Sequence, residues 1–339
     1  MLGISVAALA GAAGPYKLLK TEKVGGAGGF DYVYADTAGR RLYIARGATQ
    51  GAAPTPGRVT VFNLDTLAPA GEIPNTSARG AVVDPKSHHG FASSKPVAMW
   101  DTKTMAPIKT IDVEGAPDGI LFDAFNQRVY IWSHRAPNAT VINAVDGSVL
   151  GTIDLEGAPE QAVTDGKGHI YVDIEDKAMV AVIDAKTMKV TARYPLGDKN
   201  GTPAGLAFDV KNRVLFVACR TPAPGVMVMM NADTGKVITT LPLDGASDGA
   251  EFNPKTMEAF SSAGNGTLTV IKEEGPGKFV VEQTVQTIPS AKTLTLDRKT
   301  GNILLIGAQY GPAPTPTPGE RQARGPMLPD SFSILVVGK

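Results

Sequence analysis

One cysteine, Cys219, stands in 339 residues. A single thiol closes no internal disulfide, and no C-x-x-C or Cys/His zinc spacing occurs. It is compatible with the cytoplasm or a Gram-negative periplasm. Charge excess is missing too: 33 Lys+Arg balance 33 Asp+Glu, and no Lys/Arg-rich run appears. Nucleic acid is therefore not an expected partner, because binding it needs a basic face. The apolar run Ile4–Ala10 is too short to span a bilayer, so no transmembrane segment is expected. No long stretch keeps the period of an amphipathic helix, which excludes a doubly wound sheet with crossover helices.

What is plentiful is turn chemistry. The chain has 38 Gly and 25 Pro, spread along its length rather than gathered in one linker. That argues for many short strands. Within them a register recurs: an apolar strand ends in Asp or Asn, a polar turn follows, and an apolar or aromatic residue stands seven positions on. The anchors are Asp36, Asp84, Asp123, Asp165, Asp209, Asn253 and Asp297, spaced by 48, 39, 42, 44, 44 and 44 residues. The residues at plus seven are Tyr43, Phe91, Tyr130, Phe216, Phe260 and Leu304, with Tyr171 at plus six in the fourth repeat. A third strand ending in an Asp or Asn turn follows, as in 59–66 (VTVFNLDT) and 180–187 (VAVIDAKT), and then a fourth, as in 108–115 (IKTIDVEG).

A sheet of four short strands cannot bury both faces alone, so such units stack side by side. Four antiparallel strands per unit of forty to fifty residues predict an all-β, seven-bladed β-propeller of four-stranded blades. The last repeat ends at 331–339 (SFSILVVGK) without a fourth strand, whereas 14–26 (GPYKLLKTEKVGG) is a strand without a repeat. The ring is therefore expected to close by the N-terminal strand pairing with the C-terminal blade, which removes exposed edges. Residues 14–339 read as a single propeller domain, expected to be a monomer. Residues 1–13 read as a signal-peptide remnant or disordered tail: Ala8-Leu9-Ala10 fits a small-x-small cleavage pattern, though no positive region precedes it. The expected location is periplasmic or secreted.

These repeats resemble the YVTN-repeat, YncE-like family of seven-bladed propellers, related in style to WD40-like repeats. The resemblance is carried by Asp123–Ile131, Asp209–Val217, Val180–Asp184 and Arg41-Leu42-Tyr43-Ile44, and covers the chain from about residue 16. The literal tetrapeptide is absent; Tyr130-Ile131-Trp132-Ser133 and Tyr171-Val172-Asp173-Ile174 stand in its place. The resemblance implies a fold and, often, an exported bacterial protein. It implies no reaction.

Gly245-Ala246-Ser247-Asp248-Gly249 matches the hydrolase nucleophile elbow G-x-S-x-G, but that motif needs a strand-to-helix turn. The same junction reads GAPDG at 115–119, so Ser247 is expected to be structural. The seven anchors are expected to cap turns with their side chains. Of the histidines, His88, His89 and His169 fall in or near turns joining first to second strands, away from His134. No pair has helical metal-ligand spacing, so no metal ligand set is assigned.

The position five before each anchor enters the innermost strand beside the axis. It holds Asp31, Arg79, Asp118, Glu160, Ala204, Asp248 and Lys292. Six ionisable residues around one mouth mark a ligand-facing surface. Loops joining second and third strands share that face and contribute Arg46, His134-Arg135 and Arg220, with Glu175-Asp176, Asn265 and Gln309-Tyr310 around them. Two long Pro/Ala/Gly-rich loops, 47–58 and 311–330, border it, and Arg321 and Arg324 would give the second an anionic preference. The expected role is binding a small anionic ligand or a protein partner at the axial face, with no cofactor required. The alternative is a lactonase-like propeller hydrolase or lyase. A divalent cation would then sit on Asp31, Asp118, Glu160 and Asp248, with His134 as candidate general base. Arg79 and Lys292 count against that cation site.

Overall fold

In the computed structural model, residues 14–49, 54–314 and 324–339 are described. They form seven four-stranded antiparallel sheets, each but one running in chain order from the inside out. The innermost strands are Phe30–Asp36, Ala81–Asp84, Pro117–Asp123, Pro159–Thr164, Gly201–Asp209, Ser247–Asn253 and Leu294–Leu296. They line a central axis, and successive ones pack on one another around a ring. The chain is a seven-bladed β-propeller.

The exception in strand order is blade seven. Its strands are Leu294–Leu296, Ile303–Gly307, Ser333–Gly338 and then Lys17–Lys23. The N-terminal strand pairs antiparallel with the C-terminal one, from Lys17 opposite Gly338 to Lys23 opposite Ser333. Beside it Tyr16 is 3 % exposed and meets Phe260 edge-on at 5.3 Å between ring centroids.

The recurrent residues have structural jobs. The residues seven (or six) beyond the anchors are at most 2 % exposed and fill the space between neighbouring blades. The anchors cap turns: the side-chain oxygens of Asp84, Asp165, Asp209, Asn253 and Asp297 each accept the N–H two residues ahead. Asn63, Asp101, Asn143 and Asn231 do the same after the third strands, and Asp184 accepts from the Thr187 N–H three residues ahead. Both periodic signals therefore reflect turn closure, in which a short side-chain acceptor satisfies otherwise orphaned donors. Residues 1–13, and 315–323 with Arg321, lie outside the described residues.

Candidate functional site

We call upper the face that carries the connections between blades and the loops between second and third strands. At its centre the innermost strands carry bulges. In blade three Pro117 pairs with Ser133 and Ile120 with Ile131, so Asp118 and Gly119 oppose Trp132 alone. The same irregularity falls between Phe30 and Val33, Pro159 and Ala162, Pro203 and Gly205, and Ser247 and Gly249. A bulge inserts one residue and re-aims its side chain. Here it is Asp31, Asp118, Glu160, Ala204 and Asp248 that lie in these segments. Their neighbours hold them in place: the hydroxyl of Thr293 donates to the Asp31 carbonyl, and that of Ser93 to the Asp118 carbonyl, both at 2.5 Å.

The ring of six ionisable residues divides into two unlike parts. Arg79 lies 3.1 Å from Asp31, and Lys292 lies 3.0 Å from the other oxygen of Asp31. Lys292 also bonds Asp248. In blade five, where the register holds Ala204, Arg220 reaches across to Asp248 and lies 2.6 Å from Glu175. The result is an alternating chain, Arg79–Asp31–Lys292–Asp248–Arg220–Glu175, with three charges of each sign. Beneath the Ala204 gap the amide of Gln161 accepts from the backbone N–H groups of Leu206 and Ala250 and donates to the Ala250 carbonyl.

Two ring residues, Asp118 of blade three and Glu160 of blade four, are left out of this chain. Among the described residues these two make no ion pair with Lys or Arg; between them stands His134, with Nε2 3.4 Å from Asp118 and 3.5 Å from Glu160. One ligand atom from each of the three lies within 4.8 Å of the others. The second oxygen of Asp118 is buried and has no hydrogen-bond partner. Tyr32 donates its hydroxyl to Glu160 at 3.2 Å. Burial raises the Glu160 carboxyl well above the usual carboxylate range, and Asp173 and Asp118 add to it. Burial and Asp31 raise Asp118, against the pull of His134. Asp173, opposite the blade-four bulge, is fully buried and is pushed up to about 8 chiefly by that burial.

Asp31 and Asp248, expected to share a cation with Asp118 and Glu160, are thus taken up by basic side chains, and the compact donor set is Asp118, His134 and Glu160. Arg46, expected among the ligand-facing residues, turns inward instead. It is 1 % exposed, donates to the carbonyls of Gly26 and Gly28, and lies 3.6 Å over the Phe332 ring. Ser247 is fully buried, accepts from Ser261 and donates to the Gly249 carbonyl, as a structural junction residue would. On the opposite, lower face, His169 bonds Asp165 at 2.9 Å and His89 contacts the Ala144 carbonyl. Cys219 is buried, and that burial pushes its thiol up to about 12, so it is no reactive thiol.

A cavity of about 990 Å³ runs along the axis below the ring. Tyr32, Gly119, Trp132, Glu160 and Gln161 bound its upper end, and none of them is exposed. Its exposed lining residues, among them Pro85, Lys167, Val210, Lys211, Pro254 and Arg298, all lie in lower-face turns. The axial channel is therefore closed under the charged ring and open on the other side. The repeat register sets cations around that open end: the second residue after the anchor is Lys86, Lys167, Lys211, Lys255 and Lys299 in five of seven blades.

Across 95 % of this chain and 98 % of the other, the fold matches the structure of U3-55K with a TM-score of 0.72 at 10 % identity. A chain of the Mitotic Checkpoint Complex crystal structure matches with 0.70 at 10 % identity, over 90 % of this chain and 93 % of that one. At that identity the likeness speaks for the propeller fold alone. In sequence, the chain is 28 % identical over 179 residues to Antigen Lp49 of Leptospira interrogans (serogroup Icterohaemorrhagiae, serovar copenhageni), covering 48 % of this chain but only 38 % of that protein. No family model matches. Among the described residues no helix is long and apolar enough to cross a membrane.

Proposed function

We propose that this propeller is a binding protein whose upper axial mouth holds a divalent cation on Asp118, His134 and Glu160, and through it an anionic small ligand or an acidic group of a protein partner. The observation that carries this reading is the separation of the ring into a neutral ion-pair chain and a carboxylate pair that, among the described residues, has no Lys or Arg partner. Two carboxylates beside one imidazole suit Zn²⁺ or Mn²⁺ better than Ca²⁺, which prefers an all-oxygen cage. Three protein ligands leave positions open to a carboxylate or phosphate oxygen. Arg79, whose side chain is 62 % exposed, stands nearby to pair with the same anion.

Thermal unfolding with Ca²⁺, Mg²⁺, Mn²⁺ and Zn²⁺ tests the cation. A ligand that binds only the folded state raises the midpoint by mass action. The rise should appear with Zn²⁺ or Mn²⁺ and vanish in Asp118→Asn/Glu160→Gln; no rise with any of the four ions overturns the reading.

A second reading, a hydrolase or lyase at the same mouth, is favoured by the position of His134 between two carboxyl groups, the arrangement of a general base with its orienting partners. Lactone turnover lost in His134→Ala would support it. Membership of the YVTN-repeat, YncE-like family, and export to the periplasm or beyond, are part of the proposal. The repeat register supports the first and the 1–13 segment the second. N-terminal sequencing of the protein recovered from a periplasmic fraction tests export, and an uncleaved cytoplasmic chain argues against it.

A further inference from the structure

The channel beneath the ring shares only Glu160 with the cation-binding group at the upper mouth. Its volume falls in the range of small-molecule pockets, and it is reached from the lower face. The walls at mid-depth are apolar: Leu121, Phe122, Leu206, Phe208, Leu294 and Leu296 all line it. At its open end stand Lys167, Lys211 and Arg298, on blades four, five and seven. The backbone N–H groups of Lys167 and Lys211 are fixed by the anchor carboxylates of Asp165 and Asp209. Among the described residues neither these three cations nor Lys86, Lys255 and Lys299 enter an ion pair. This contrasts with the upper face, where Lys292 and Arg220 are each committed to two carboxylates.

We propose that the axial channel is a binding site, entered from the lower face, for an amphiphilic organic anion whose carboxylate or phosphate rests on Lys167, Lys211 and Arg298 while its apolar body lies along the channel. Burying an alkyl body contributes about 0.8 kcal/mol per methylene, and the cations fix the orientation. Four acidic side chains also face the cavity, and none blocks this arrangement. Asp36 and Asp209 accept turn N–H groups at the rim, from Gly39 and from Lys211. Glu160 lies at the closed end, held by Tyr32. Burial pushes the mid-channel Glu251 up to about 7, against the pull of Arg298, so around neutrality it is partly protonated and can donate a hydrogen bond.

Trp132 lines the closed end, so its fluorescence reports occupancy. Octanoate, octyl phosphate, octanol, octyltrimethylammonium and inorganic phosphate are titrated, each below any micelle concentration, into the full chain. Octanoate and octyl phosphate should bind and shift the emission, with octanol at least tenfold weaker and the ammonium salt showing no binding. Lys167→Ala/Lys211→Ala/Arg298→Ala, three exposed changes that leave the blades intact, should weaken octanoate tenfold or more with circular dichroism unchanged. Octanol binding as tightly as octanoate, or an unaltered affinity in the triple variant, overturns the proposal. So does inorganic phosphate binding as tightly as octyl phosphate, which would reduce the site to its rim.

Discussion

Arg40 in blade one donates to both carboxylate oxygens of Asp297 in blade seven, at 2.8 Å each. This fork crosses the seam at which the ring closes, and Asp297 also caps the turn at Lys299. Burial works against ionisation of Asp297, but the bonds from Arg40, Thr300 and the Lys299 N–H outweigh it and hold the carboxyl at about 2. A depressed carboxylate stabilises the fold above its unfolded pKa, and that stabilisation is lost as pH falls through the folded value. Asn253 stands at the equivalent place in blade six and still caps Lys255. Asp297→Asn should therefore keep the turn but lose about 2 kcal/mol at pH 7. The gap between variant and parent, read from urea midpoints, should narrow between pH 4 and pH 2.

Glu251 shows the opposite sign. Its raised folded pKa means that the native state binds more protons than the unfolded chain between about pH 4.5 and 7, so stability falls as pH rises through that window. Glu251→Gln should raise the urea midpoint at pH 8, by about 2 kcal/mol in free energy, and leave it unchanged at pH 4. An equal gain at both values would place the effect outside ionisation.

Arg220→Ala removes the cation that spans the Ala204 gap. Asp248 keeps Lys292, whereas Glu175 loses its ion-pair partner. The side chains of Arg220 and Asp248 are 30 % and 15 % exposed, so the cost should be about 1–3 kcal/mol rather than that of a fully buried pair. Adding Asp248→Asn should cost less than the sum of the single changes, because the two groups act as one unit. Additive losses in a double-mutant cycle would show that the pair is not coupled.

Tyr16→Ala should cost about 3 kcal/mol by opening a cavity against Phe260. Removing residues 14–23 should do more, because it bares the whole edge of Ser333–Gly338. An unpaired edge strand recruits other chains, so light scattering on warming should rise for the truncated protein and not for the point variant.

The blades were readable from the sequence because each anchor and each residue seven beyond it answers to a local demand, turn closure in one case and inter-blade packing in the other. Ring closure was readable by counting strands: Lys17–Lys23 had no partner within a repeat and the last repeat had a vacancy. The division of the charged ring was not readable. The register placed Asp31, Asp118, Glu160 and Asp248 on equal footing, and what separates them is which acids Arg79, Lys292 and Arg220 reach, a matter of side-chain direction across blades. Arg46 misled for a related reason: strand position puts it on the binding face, but its side chain turns onto Phe332 and backbone carbonyls. The lysines two beyond the anchors lie in the same register as the acids five before them. As residues of polar turns they look like ordinary solvated lysines, and nothing local tells which end of a channel is open.

The pairing of Lys17–Lys23 with Ser333–Gly338 also sets the timing of assembly. A chain leaving the ribosome completes six blades in order, each from contiguous residues. The seventh must wait for Ser333–Gly338 while Lys17–Lys23, made before it, has nothing to pair with. Until then Lys17–Lys23 and one edge of Ile303–Gly307 both lack a partner. Among the described strands, Lys17–Lys23 thus has its partner furthest away along the chain, and its pairing closes the longest loop in the fold.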